Sequence, residues 1–142
     1  MPQAGMVHAL HYIHQLLKPG GLLIDIHPTN ELATLEVRVG QQITPAGWIY
    51  EWDDYIEYEW ADSALQRAIN VQWFELERSG VFNFAWYADS MAELREYLTE
   101  EWHDTLIDEV TFMRAQELLS TTEHDREVIV REAIKIARYR KL

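Results

Sequence analysis

The feature that most narrows the folds open to this chain is an abrupt change of hydrophobic period at Pro19-Gly20-Gly21. Before it, Val7, Leu10, Ile13, Leu16 and Leu17 recur at helical spacing, and after it Leu22-Leu23-Ile24-Asp25-Ile26 forms a short run dense in branched apolar residues, ended by His27-Pro28. Proline cannot continue a helix, and paired glycines allow the sharp reversal that a short connection needs. The spacing predicts a helix over 3–17 and a strand over 22–27 whose apolar run is buried on both faces. Strands of that kind belong to parallel or mixed sheets covered by helices on each side.

Beyond this unit, Leu35 to Val39 and Trp48 to Trp52 alternate around turn residues and predict a β-hairpin. Residues 53–73 carry Tyr55, Tyr58, Ala61, Leu65, Ala68 and Ile69 at intervals of three and four, an acidic amphipathic helix. Val81 to Trp86 suits a strand, read as one arm of a second hairpin turning at Ser79-Gly80. Ser90 with Glu93 three residues later is a capping-box spacing, and it opens a helix over 90–102. A further helix follows over about 108–119. The chain closes in a long strand with Val128, Val130, Ile134 and Ile136 on one side and Arg131, Lys135 and Tyr139 on the other. The fold class expected is α/β or α+β, a small mixed sheet flanked by helices, in a single domain over 1–142.

Composition removes several functions. Acidic residues outnumber basic ones 24 to 12, a net charge of −12, so a phosphate backbone or an anionic membrane surface repels most of the molecule. Nucleic acid and membrane are therefore not expected partners, and a cytoplasmic protein is the expectation. Six of the basic residues fall in 126–142, against Glu127 and Glu132, a local excess of +4. The alternation within that segment reads as a strand with a basic outer face lying among acidic helices. With no cysteine, thiol nucleophiles, disulfides and iron–sulfur clusters are excluded, and any metal would rest on histidine and carboxylates.

The run from His8 to Asp25, with Leu17-Lys18-Pro19-Gly20-Gly21 at its centre, resembles the late signature of class I S-adenosylmethionine-dependent methyltransferases. There a helix ends in such a turn and feeds the fifth strand of the sheet. The later order of helix, aromatic strand, helices and terminal strand is similar to the carboxyl-terminal half of that family, whose sixth and seventh strands pair antiparallel. The resemblance implies half of a Rossmann-like methyltransferase fold. The Gly-rich cofactor loop of the family has no counterpart: Gly5, Gly20, Gly21, Gly40, Gly47 and Gly80 include no G-x-G, and Gly20-Gly21 precedes its strand, at the wrong end of the sheet for a ligand. The expectation is a truncated methyltransferase-like chain that binds no cofactor alone, does not methylate by itself, and acts as a dimeric binding or assembly module. The alternative is a subunit of a split methyltransferase, with S-adenosylmethionine held only when another chain complements it.

In the family fold the strand over 22–27 is hydrogen-bonded on both sides, one of them to the terminal strand. The other side lacks its usual neighbour, and an apolar strand with a row of unpaired backbone groups demands cover. Three covers are expected: a homodimer pairing these strands across a two-fold axis, a complementing methyltransferase half, or the hairpin over 35–52 folded onto the edge.

The site residues follow from the same strand. His27 stands at its carboxyl end, where a methyltransferase places substrate, so the resemblance implies that His27 orients or deprotonates a methyl acceptor, with Thr29 and Asn30 as further substrate-binding residues. The competing reading has Asp25 or His27 capping the following segment or packing beneath the aromatic hairpin. No cofactor-binding or metal-binding residue is assigned. His8, His11 and His14 diverge over roughly 120° of the helix and read as polar, interface-facing residues whose protonation would make association pH-sensitive. The acidic residues Glu51, Asp53, Asp54, Glu57, Glu59 and Asp62 lack calcium-loop spacing and read as a solvated helix face. The aromatic residues between 48 and 87 read as core or dimer contacts, or as an apolar pocket for a flat ligand.

Overall fold

A computed structural model describes residues 2–52 and 54–142. The helix that the apolar stripe predicts is α1 (Gln3–Leu16), and it stops where Leu17 turns extended ahead of Pro19. Gly20, at φ +72, takes a left-handed conformation in the turn that follows. Gly21 is required for space, since a Cβ there would stand 2.8 Å from the Lys18 carbonyl oxygen. The elements that follow are β1 (Leu22–Pro28), β2 (Ala33–Val39), β3 (Gln42–Glu51), α2 (Asp54–Asn70), β4 (Phe74–Ala88), α3 (Met91–Glu101), β5 (Thr105–Leu106), α4 (Glu109–Leu119) and β6 (Arg126–Lys141). The result is an α/β fold whose open sheet runs β1-β6-β2-β3-β5, with β4 also paired to β6. The pairings of β1, β2, β3 and β5 are antiparallel.

The chain divides into two compact units, residues 1–30, 53–82 and 134–142 in the first and 31–52 and 83–133 in the second. In the first unit β1 pairs with the carboxyl-terminal part of β6, from Leu22↔Arg140 to Pro28↔Ile134. Because side chains alternate along a strand, this register sorts them into two sets. Leu23, Ala137 and Tyr139 lie beneath Leu10 and Ile13 of α1 and Leu65 and Ala68 of α2, in one cluster with Phe74. The other set, Leu22, Ile24 and Ile26, remains 44%, 50% and 58% exposed. Burial of β1 on both faces, expected from its composition, is therefore corrected: composition reports what a strand can bury, and here helices cover only one face.

In the second unit Leu35 and Val37 of β2, Ile49 of β3, Leu94 and Leu98 of α3, Ala115 of α4 and Val128 and Val130 of β6 form the core. The hairpin is tighter than its sequence suggests, with β3 beginning at Gln42, two residues after Gly40 at φ +59. The hairpin pairs through β2 with β6, not with the outer edge of β1, which corrects one of the three covers expected for that edge. The Ser90 cap is formed, with the Glu93 N–H donating to Ser90 Oγ at 3.1 Å, while Glu93 Oε2 reaches one residue further back than in a capping box and accepts from the Asp89 N–H at 2.7 Å. At α4 the Asp108 carboxylate accepts from the Thr111 N–H at 2.7 Å, which holds its carboxyl below the usual range.

Two further expectations change. Ser79-Gly80 does not turn a hairpin but lies inside one strand of 15 residues, β4, which pairs with β6, a partnership that local composition does not reveal. The exposed-face assignment of Tyr139 is also reversed. Val128, Ile129 and Val130 are all buried, and burial then continues at Ile134, Ala137 and Tyr139, while Ile136 faces outward. The aromatic middle is less a core than expected, since Trp48, Trp52, Phe84 and Tyr87 are exposed. The bases of β6 do meet acids or carbonyls, as in Arg131 to Glu36 at 3.0 Å, Arg138 to Glu77 at 2.8 Å and Lys141 to the Leu17 carbonyl at 2.7 Å.

Two stability effects test this packing. Gly47 faces Thr111 so closely that an added Cβ would lie 2.6 Å from Thr111 Cγ2. Gly47→Ala is expected to cost about 1–3 kcal/mol in urea unfolding through overpacking, with partial recovery when Thr111→Ala removes the outer atoms. Ser90→Ala is expected to cost about 1 kcal/mol by leaving the Glu93 N–H uncapped; an unchanged urea midpoint would refute the capping role.

Candidate functional site

In the first unit the β1 register places Asp25 opposite Ala137 and His27 opposite Lys135, so both β1 side chains point toward the helix-covered side. Residues two apart on a strand share a face, and the pair closes on itself: His27 Nδ1 lies 2.8 Å from Asp25 Oδ2. A carboxylate only accepts, so the ring carries its proton on Nδ1. On the other side of the ring, Nε2 is buried and lies 3.5 Å from Asp62 Oδ1 of α2. Asp62 is also ion-paired with Lys135. Tyr58, one helical turn before Asp62, stacks over the imidazole at 6.4 Å between ring centres.

The electrostatics favour the imidazolium. The hydrogen bond to Asp25 raises the His27 pKa, burial opposes it, Asp25 and Asp62 raise it further by their charge, and Lys135 lowers it, with a net upward result. A neutral ring would present the Nε2 lone pair to a carboxylate, whereas the protonated ring offers an N–H to each side. The same surroundings reach Tyr139, whose hydroxyl is pushed up to about 12 by burial first and then by Asp25 and Asp62. The cluster ties β1, α2 and β6 together through one imidazole. The half-exposed Lys135–Asp62 pair contributes on the order of 1 kcal/mol at most, so its main effect is to orient Asp62. An acceptor molecule reaches Nε2 only when the Asp62 carboxylate is displaced.

Of the residues expected from the sequence, His27 and Asp25 are brought together. Thr29 is half-buried and Asn30 exposed just past the end of β1. Asp62, Lys135, Tyr58 and Tyr139 were not expected at the site. Asp62 had been assigned to a solvated helix face, which the pair with Lys135 and His27 corrects. Its spacing from Tyr58 marks a shared helix face, but nothing local indicates which strand that face meets. Asp53, from the same acidic group, lies outside the described residues. His11 and His14 turn inward, stacking on Trp73 at 4.7 and 6.2 Å, and His14 also meets Phe74 edge-on at 5.5 Å. Their interface-facing reading is corrected accordingly.

The glycine positions do not fit a nucleotide cradle. The passages from strand to helix, β3 to α2, β4 to α3 and β5 to α4, contain none of the six glycines, and Gly20-Gly21 serves the turn into β1. Among the described residues no group of three or more His, Cys, Asp or Glu side chains is arranged to hold a metal ion, and no helix is long and apolar enough to cross a membrane. No model of a protein family matches the chain, and no curated protein matches it.

The imidazole titration provides the check. His27 is expected to titrate above 6.5, so its contribution to stability is fully present below about 6.5 and is lost as pH rises through the folded value. In NMR titration of the ring protons, Asp25→Asn lowers the His27 midpoint and Lys135→Met raises it. A midpoint that ignores both substitutions would contradict the assigned contacts.

Proposed function

We propose that this chain is a methyltransferase-like carboxyl-terminal half that acts through association, a dimeric binding or assembly module with no methyl transfer of its own. The observation that carries the reading is the position of β1. It ends the sheet order, with β6 as its only strand neighbour among the described residues, although its composition is that of an inner strand. The order of α1, turn and β1, with the terminal strand antiparallel beside β1 and paired also with β4, supports the likeness to the family's second half. An open edge next to half-exposed Leu22, Ile24 and Ile26 is a template for a further strand, and a two-fold pairing of β1 with β1 satisfies both chains at once. The glycine placement supports the absence of a cofactor site within these residues.

A second reading, a subunit of a split S-adenosylmethionine-dependent methyltransferase, is favoured by one observation: the Asp25–His27–Asp62 cluster lies toward the carboxyl end of β1, the end at which the family resembled places its substrate. In that reading the complementing chain adds the next strand, and His27 receives the acceptor.

Light scattering at micromolar concentration is expected to give twice the chain mass of 16.8 kDa, and Ile26→Lys, placing a charge beside the open edge, is expected to weaken association at least tenfold. A monomer at 100 μM would overturn the dimer reading. Calorimetric titration with S-adenosylmethionine is expected to show no saturable heat; binding by the chain alone would overturn both readings.

A further inference from the structure

The face of β1 and β6 turned away from α1 and α2 has a composition of its own. Leu22, Ile24 and Ile26 stand beside Arg140, Arg138 and Ile136 in register, and the three β1 side chains are exposed. A cavity of about 400 Å³ opens on this face, with Ile24, Ile136 and Ala137 as apolar lining and Arg78 and Arg138 as its charged lining, beside Ser79 and Gly80. That volume lies in the range of small-molecule sites.

The two guanidinium groups are not consumed by the protein. Arg78 makes neither a hydrogen bond nor an ion pair among the described residues. Arg138 Nε lies 2.8 Å from Glu77 Oε2, but the contact lacks the alignment of a hydrogen bond, and that carboxylate oxygen is left without one. The other oxygen of Glu77 is taken by Arg140, which also donates to the Gly20 carbonyl at 3.1 Å. Two arginines, Arg138 and Arg140, thus share one carboxylate, and Arg138 together with Arg78 retains N–H groups free over an apolar floor. An apolar strip this exposed, next to under-used guanidinium groups, matches a ligand that is hydrocarbon at one end and anionic at the other.

We propose that this face binds a medium-chain carboxylate, with the head group on Arg78 and Arg138 and the alkyl chain along Ile24 and its β1 neighbours. From Leu22 to Ile26 the strip runs about 13 Å at roughly 3.3 Å per residue, the length of an extended medium chain. A single negative charge is selected because the remainder of this chain, net −12, repels polyanions such as nucleotides. The site uses the outward side chains of β1, whereas the association proposed above uses its backbone edge; Ile26→Lys touches both, so the two are told apart by Arg78→Gln and by sedimentation.

The test is calorimetric titration of the full chain with dodecanoate below its micellar concentration. Saturable binding of one carboxylate per chain is expected, weakened about tenfold or more by Arg78→Gln and by Arg138→Gln. Dodecanol is expected to bind at least tenfold more weakly, and Arg67→Gln on α2 to leave affinity unchanged. The Arg78 side chain is exposed and has no ion-pair partner among the described residues, so Arg78→Gln remains informative if loss of Arg138 disturbs Glu77 and unfolds the protein. Unsaturable heat, equal binding of dodecanol, or wild-type affinity in Arg78→Gln would overturn the proposal. Sedimentation in the same buffers separates the two proposals: a dimer that ignores dodecanoate removes only the ligand site, and a monomer that binds it removes only the association.

Discussion

The antiparallel register of β1 against the last strand governs the first unit. Once Asp25 is opposite Ala137 and His27 opposite Lys135, the two-residue period of the strand sorts the side chains: Leu23, Asp25, His27, Ala137 and Tyr139 go under the helices, while Leu22, Ile24, Ile26, Ile136, Arg138 and Arg140 go outward. A slip by one residue would put Leu22, Ile24 and Ile26 beneath α1 and α2 and expose His27 and Tyr139. The register is fixed from both ends. The Lys141 N–H donates to the Gly21 carbonyl at 2.8 Å and the Leu142 N–H to the Trp73 carbonyl at 3.0 Å, while at the opposite end the imidazole joins β1 to α2. The Pro-Gly-Gly turn is therefore more than a helix stop; its carbonyl groups anchor the end of β6.

Seen this way, the buried charge is a consequence of the fold rather than its cause. Leu23, Ala137, Tyr139 and Phe74 supply the apolar burial, of the order of 2 kcal/mol for each fully buried large side chain, whereas partly exposed ion pairs contribute a fraction of that. What the Asp25–His27–Asp62 chain adds is direction. An imidazolium with a carboxylate on each side holds one strand and one helix at a fixed separation, and Tyr58 closes over the ring. The geometry suits a proton held in place. Delivering that proton to another molecule first requires Asp62 to yield.

The sequence disclosed those parts of the fold that depend on neighbours a few residues away. The stop of α1 and the Ser90 cap ahead of Glu93 are local chemistry and stand where they are expected, and the alternation over 35–39 marks the first arm of the hairpin, whereas β3 begins at Gln42, inside the stretch that reads as its turn. What stayed hidden depends on partners far along the chain. Ser79-Gly80 carries the composition of a turn and sits inside β4, a strand whose partner, β6, lies far along the chain. Tyr139 follows the outward phase of Arg131 and Lys135 on paper, but the phase of burial shifts along β6, and α2 covers it. At the site, Asp25 and His27 were readable because they share a strand face two residues apart. Asp62 and Lys135 were not, since their meeting with His27 depends on where α2 docks and on a register across more than 100 residues.

One strand thus carries three distinct surfaces, which explains why its composition misleads. Its helix-facing side holds the His27 cluster, its outer side holds exposed branched residues against arginines, and its free edge holds unpaired backbone groups. A strand buried on both sides and a strand serving three separate contacts draw on the same branched apolar residues, because each of those contacts removes hydrocarbon or peptide groups from water. The apolar density of Leu22 to Ile26 therefore records the total surface the strand is built to lose, partly to α1 and α2 within this chain and partly to whatever lies against it from outside. The half-exposed isoleucines are the portion that the chain's own helices leave uncovered, and their placement beside Arg138 and Arg140 gives that portion a sign of charge opposite to that of the chain as a whole.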